Sequence, residues 1–149
     1  MPITWAASQS GDFLVFWYSG EITRDEVVDS QIASGTVLRR GGEFATLIIF
    51  EADLRAPNAT LESMKELYLS RGEQLKAIGA RRRAGATLLS DSSSARMLMP
   101  LWNALRDLSD VDISFAIFEK LEDALGHLEI DPDYAREVMA RRQPVPSTR

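Results

Sequence analysis

The chain has 149 residues, a formal net charge of −5 and no cysteine. This length suits a single domain with its own hydrophobic core, and the lack of cysteine excludes disulfides, thiolate metal sites and a cysteine nucleophile. Nucleic-acid-binding domains usually carry a basic surplus, so the acidic balance argues against nucleic acid as a partner.

The N-terminal residues 1–5 lack the basic segment and apolar run of a signal peptide. No stretch of the chain approaches the ~18 consecutive apolar residues of a membrane span. We therefore expect a cytoplasmic protein without a membrane span.

Two strands are predicted at the start of the chain, over residues 3–8 and 13–19, and the residues between them have hairpin chemistry. The second strand is apolar on both faces from Phe13 to Tyr18. Such a strand belongs inside a sheet that is covered on both sides, or beside a partner. A homodimer is therefore a reasonable hypothesis.

A capping box of Thr23 and Glu26 predicts the start of the first helix. Arg39 and Arg40 are expected in its last turn, where cations complement the helix dipole, and residues 41–42 are glycines that end it. The residues predicted for its inner face are Val27, Val28, Ile32 and Leu38.

The next predicted elements are a strand over residues 44–50 and a helix over about residues 60–78, which ends at Gly79. Arg71 interrupts the apolar stripe of this helix, between Tyr68 and Leu75. A fourth strand is predicted over residues 84–89, so the basic triplet of residues 81–83 is expected between a helix end and a strand. That triplet can contact phosphate or an acidic partner, although dipole complementation and solubility explain it as well.

The last part of the chain predicts a helix that contains Pro100, a strand over residues 111–118, a short helix over 119–128 and a final helix from Asp131 through Arg142. Strands that alternate with helices indicate a largely parallel sheet. We predict an α/β domain over residues 1–142: a mixed, mostly parallel five-stranded sheet with an N-terminal β-hairpin, covered by four to five helices. Residues 143–149 are expected to form a flexible tail.

The end of the hairpin, Gly20-Glu21-Ile22-Thr23, resembles the strand-Gly-Glu-apolar-Thr/Asp opening of STAS domains, and residues 115–125 resemble the last strand and helix of that family. The similarity covers about residues 3–128 and is closest to the small bacterial SpoIIAA-like proteins. It implies a regulatory or protein-interaction module. Anti-sigma-factor antagonists of this family carry a phosphorylatable Ser or Thr in an Asp-Ser-x-Gly turn after the third strand. Residues 51–60 lack that motif, so the phosphorylation site is not carried over.

Polar residues follow two strands of the predicted sheet. Glu51 and Asp53 follow the third strand, and Asp91, Ser92 and Ser93 follow the fourth. Ligands of open α/β sheets gather at the carboxyl ends of the strands, so these groups can share one rim that binds a ligand or a partner, or that serves an enzyme. The alternative is that Asp91 and the serines cap a helix, while the other two carboxylates face water.

Arg71 is a second candidate for binding. An unpaired buried guanidinium is costly, so an inward Arg71 needs an acidic partner or an anionic ligand that it holds in a bidentate manner. The alternative is that its stem covers apolar surface and its head reaches water.

The aromatic and methionine residues can line an apolar pocket between sheet and helices, although such residues more often form a plain core. They are Phe13, Phe16, Trp17, Tyr18, Met64, Met97, Met99 and Trp102.

No pattern in the sequence indicates a reaction. His127 is the only histidine, and neither a nucleophile elbow nor a phosphate-binding glycine pattern is present. We expect no catalytic residue, no metal and no cofactor. The predicted function is a non-catalytic interaction or regulatory module with a protein partner. The alternative is a binder or sensor of a small apolar or amphipathic ligand.

Overall fold

Six strands form one mixed sheet in the computed structural model, which describes residues 3–56, 59–89, 99–106 and 115–146. The strands lie in the order β5-β4-β3-β2-β1-β6 across the sheet. They are β1 (Ile3–Ala7), β2 (Phe13–Tyr18), β3 (Glu43–Phe50), β4 (Arg81–Leu89), β5 (Phe115–Phe118) and β6 (Gln143–Pro144).

The pairing of the strands confirms the predicted fold class. β2, β3, β4 and β5 are parallel neighbours, and β1 is antiparallel to both β2 and β6. The sheet has one strand more than predicted, because β6 lies where the sequence indicated a flexible tail. Val145, directly after β6, is buried in the core and ties this segment to the domain.

Five helices are present in the described residues: α1 (Arg24–Gly35), α2 (Leu61–Ile78), α3 (Met99–Arg106), α4 (Leu121–Leu128) and α5 (Pro132–Met139). α1 and α2 pack on one face of the sheet, and α4 and α5 pack on the other. None of the helices within the described ranges is long and apolar enough to cross a membrane.

β2 lies between β1 and β3, and its side chains alternate between the two layers. Leu14 and Phe16 face the layer of α1 and α2, whereas Phe13, Val15 and Trp17 face the layer of α4 and α5. All five are buried within this one chain. The apolar character of both faces therefore has an intramolecular explanation and does not require a second subunit.

The predicted start of α1 is confirmed. Glu26 N donates to Thr23 Oγ1 over 3.3 Å, and Thr23 N donates to Glu26 Oε2 over 3.1 Å, which is a complete capping box. α2 begins in the same way at Thr60 and Ser63, and it ends at Gly79 in the left-handed region, as the sequence indicates.

The predicted end and inner face of α1 are wrong in part. The helix ends at Gly35, so Arg39 and Arg40 lie beyond its last turn. Ile32 is 45% exposed, because Ser30 and Ser34 occupy the face that is turned toward the sheet. Residues four apart share a helix face, so the two serines mark the face that α1 turns toward the sheet.

The placement of the arginine triplet is also corrected. β4 begins at Arg81, so all three arginines belong to the strand rather than to a connection. A register shift lies between Phe44 and Ala45 of β3, opposite Arg82 and Ala84. Arg83 donates from Nη2 to the carbonyl oxygen of Leu128 over 2.7 Å, whereas Arg82 lies on the side of α1 and α2.

Candidate ligand cavity

A cavity of about 400 Å³ lies between the sheet and the layer of α1 and α2. Its walls come from β2, β3, both helices and the residues that follow β3, and Arg82 of β4 adds to them. This is the face on which the strands' apolar side chains meet α1 and α2, so the cavity is a gap in the core itself.

Small polar side chains explain why this gap exists. α1 turns Ser30 toward the sheet, and β3 turns Thr46 toward the helices, where leucine or phenylalanine would fill a core. Ser30 donates from Oγ to the carbonyl oxygen of Val27 over 2.7 Å, within its own helix. Thr46 Oγ1 is buried and has no hydrogen-bond partner among the described residues.

Much of the cavity wall is apolar and aromatic. Phe16 and Tyr18 of β2, Phe50 of β3, and Met64 and Tyr68 of α2 all line it. The rings of Tyr18 and Phe50 are 5.7 Å apart between centroids and tilted by 37°. This wall offers aromatic faces and a flexible thioether to an apolar ligand.

The cavity opens near the carboxyl ends of β2 and β3. Thr23, Arg24 and Asp25 at the start of α1 line the cavity and are exposed, which places its mouth there. Arg82 lies at the opposite, inner end, since it pairs with Phe44 near the start of β3, and Arg71 lies close enough to feel its charge. An opening at the carboxyl ends of parallel strands is a common position for the ligand site of α/β folds.

Arg71 is 6% exposed and is held in place by neutral groups. Its Nη1 donates to the carbonyl oxygen of Gln31 over 2.9 Å and to Gln74 Oε1 over 2.7 Å. Gln74 Nε2 donates to the same carbonyl oxygen over 2.9 Å. A Cβ atom on Gly35 would lie 2.5 Å from Gln74 Nε2, so the glycine allows α1 and α2 to approach closely here.

Arg71 has no acidic partner in the part of the chain that the structure describes. The ion pairs there involve other residues. Burial, followed by the nearby charge of Arg82, lowers the pKa of Arg71 to about 10. The guanidinium therefore remains charged at neutral pH, at the inner end of a cavity that holds a second arginine.

The two tyrosines of the wall stay neutral. Burial raises the pKa of Tyr18 to about 12, although the charge of Arg71 acts in the opposite direction. Burial also raises the pKa of Tyr68, and its proximity to Tyr18 adds to this. Both hydroxyl groups are therefore hydrogen-bond donors at any physiological pH.

These shifted pKa values predict that stability falls at high pH. An unfolded tyrosine ionises near pH 10, whereas folded Tyr18 keeps its proton until about pH 12. The unfolded tyrosine then binds fewer protons, so each tyrosine lowers the free energy of unfolding by about 1 kcal/mol per pH unit between those values. The lowered pKa of Arg71 offsets part of this decrease above about pH 10. Urea unfolding at pH 9 and pH 11 measures the decrease. The Tyr18→Phe variant should show a shallower one, and an equally steep one would contradict this assignment.

Of the predicted rim, the structure describes only Glu51 and Asp53. Glu51 Oε1 lies 2.7 Å from Nη2 of Arg142, and Nε of the same arginine donates to Thr4 Oγ1 over 2.6 Å. The guanidinium also stacks on Trp17, 4.6 Å from its ring centroid. Asp53 is exposed. Asp91, Ser92 and Ser93 lie outside the described residues.

The predicted pocket residues that the structure describes lie on both faces of the sheet. Phe16, Tyr18 and Met64 line the cavity, whereas Phe13 and Trp17 pack on the opposite face of the sheet. Met97, and the side chains of Met99 and Trp102, lie outside what the structure describes. Among the described residues, no group of three His, Asp or Glu side chains is placed to hold a metal ion.

Several residues that line the cavity or lie next to it do not stand out in the sequence. Gln31 and Gln74, which fix Arg71, are ordinary polar positions on their helices. Ser30 and Ser34 carry a signal, because two small residues one turn apart can mark the inner face of a helix as well as an apolar stripe can. Arg82 stands out only as part of a basic triplet.

Comparisons of the chain with protein-family models, with curated proteins and with solved structures found no match. The resemblance to STAS domains therefore stays a prediction from the sequence.

Proposed function

We propose that this protein binds a small molecule with an apolar or amphipathic body in the cavity between the sheet and α1 and α2. The observation that carries this proposal is the cavity volume of about 400 Å³. Small-molecule sites typically measure roughly 300–1,000 Å³ and combine apolar walls with a few polar groups. A carrier or a sensor is the kind of activity that such a site supports.

The cavity is much larger than the voids of a packed interior, and it opens to solvent at one end. Protein interiors are close-packed, and voids larger than a water molecule are few. Apolar side chains that line an open cavity lack the dispersion contacts of a packed core. A ligand with an apolar body restores those contacts for Phe16, Phe50 and Met64.

Native mass spectrometry of freshly purified protein tests the proposal for any ligand that copurifies with the chain. We expect a fraction of the protein to carry a small bound molecule that is released when the protein is denatured. If no bound species is found and no neutral apolar probe binds, the proposal fails.

A substitution at Thr46 tests whether a probe occupies this cavity. We expect Thr46→Phe, which fills the cavity from β3, to weaken binding of the neutral dye Nile red by about tenfold or more, because the aromatic ring takes the space of the probe. The dye's fluorescence titration measures the affinity. Thr46→Val is the matched control, since it keeps the side-chain volume and should bind as the wild type does. Equal binding by both folded variants would place the probe elsewhere.

We also propose, separately, the interaction or regulatory role that the STAS-like resemblance implies. Its support is the alternation of strands and helices along the chain together with the hairpin motif of residues 20–23. A pull-down from native lysate should recover a specific protein partner. A clean failure under several growth conditions would count against this role.

A further inference from the structure

The inner end of the cavity has a chemistry that the apolar wall does not explain. Two guanidinium groups, those of Arg71 and Arg82, line it, and no carboxylate of the described residues forms an ion pair with Arg71. We propose that this end is a carboxylate subsite, in which Arg71 binds the head group of a small monocarboxylic acid whose apolar body lies along the aromatic wall. The inference rests on the proposed function, since it names the class of ligand.

The hydrogen bonds of Arg71 orient the guanidinium for such a ligand. A guanidinium has five N–H donors in a planar fork. Nη1 donates both hydrogen bonds to the protein, one to the carbonyl oxygen of Gln31 and one to Gln74 Oε1. Nη2 and Nε donate to no other described residue, and two parallel donors of this kind match the two oxygens of a carboxylate. The side chain is thus held in one orientation while a second edge of the fork is left for a ligand.

Charge also favours an anion at this position. Arg71 is 6% exposed, so its charge has lost most of its hydration without gaining an opposite charge from the described residues. Arg82 adds a second positive charge near it. A buried charge is tolerated when it is paired, and a bound carboxylate supplies the pair.

The rest of the cavity determines what the carboxylate is attached to. Thr46 and Phe50 both line the cavity from β3 and are four residues apart, which is about 13 Å along a strand. Over that length the wall is formed mostly by aromatic and aliphatic side chains, so an apolar body fits it better than a polyhydroxylated one. Thr46 Oγ1, buried without a partner among the described residues, adds one hydroxyl to that wall.

Isothermal titration with decanoate and 1-decanol tests the subsite, because the two probes share an apolar chain and differ in the charged head group. Decanoate is used below the concentration at which it forms micelles. We expect wild-type protein to bind decanoate at least about tenfold more tightly than 1-decanol, since hydrogen bonds to charged groups are the stronger ones. We expect Arg71→Met to lower the affinity for decanoate by about ten- to one hundredfold and to leave that for 1-decanol nearly unchanged.

Two further variants separate the subsite from general effects of charge and folding. Arg81→Met removes the same charge from a side chain of β4 that is 81% exposed, and it should bind both probes as the wild type does. Arg71→Lys keeps the charge but loses the planar fork, so its preference for decanoate should be intermediate. If Arg71→Met does not fold, the affinities of Arg71→Lys for the two probes test the subsite.

The outcomes distinguish the two proposals. If wild-type protein binds decanoate and 1-decanol equally, or if Arg71→Met and Arg71→Lys both keep the full preference for decanoate, the carboxylate subsite is overturned while ligand binding stands. If neither probe binds, the proposed function itself fails.

Discussion

The Phe13→Ala variant should lose about 3–5 kcal/mol of unfolding free energy, which is the usual cost of truncating a buried phenylalanine. Phe13 is fully buried in β2, with β1 on one side and β3 on the other. Its ring packs in the layer of α4 and α5, away from the ligand cavity. The loss is a large part of the roughly 5–15 kcal/mol that stabilises a typical domain.

Urea unfolding, followed by far-UV circular dichroism, measures this loss. Leu69→Ala is a suitable control, because Leu69 is 40% exposed on α2 and its truncation should change stability by no more than about 0.5 kcal/mol. Equal losses in the two variants would contradict the assignment of Phe13 to the centre of the core. Since Phe13 lies on the opposite face from the cavity, the folded fraction of Phe13→Ala should still bind Nile red.

The sequence was sufficient to predict the class of fold. The sequence carries clear start and stop signals for its helices, such as the capping box at Thr23 and the left-handed Gly79. These signals, with the alternation of strands and helices, locate most elements to within a few residues. The end of α1 was missed because Arg39 and Arg40 before a glycine pair look like a helix terminus. The helix ends earlier, at Gly35, where a Cβ atom would meet the end of the Gln74 side chain of α2. That contact is between elements, so local sequence does not contain it.

Some residues of the cavity were singled out in the sequence. Arg71 was recognisable as a charge on an apolar stripe, but the sequence left open whether its guanidinium is buried beside an acid or an anion or reaches water. The neutral partners that orient it belong to two different helices, and nothing in the sequence pairs them. The cavity could not be predicted from the sequence, because an apolar residue that lines a cavity and one that fills a core occur in the same sequence pattern. Strand periodicity alone, however, would have separated Phe13 and Trp17 from Phe16.

A second large loss of stability is expected for Gly11→Ala, at about 2–5 kcal/mol. Gly11 lies in the hairpin between β1 and β2 with φ of +73°, in the left-handed region that a residue with a side chain adopts at a cost. A Cβ atom there would also lie 2.3 Å from the carbonyl oxygen of Val37, in the segment that follows α1. Because that contact is with backbone, no rotation of a side chain can relieve it, and the segment after α1 has to move.

Gly20→Ala separates the two costs, because Gly20 also has a positive φ, of +62°, but a Cβ atom there would have nothing within 4 Å. It should lose only about 1–2 kcal/mol, the cost of the left-handed conformation. Urea unfolding of both variants gives the difference, which is the contribution of the contact between the hairpin and Val37. Equal losses of unfolding free energy in the two variants would mean that the segment after α1 moves at little energetic cost. The hairpin would then not fix the C-terminal end of α1, the helix that carries the Gln31 carbonyl bound by Arg71.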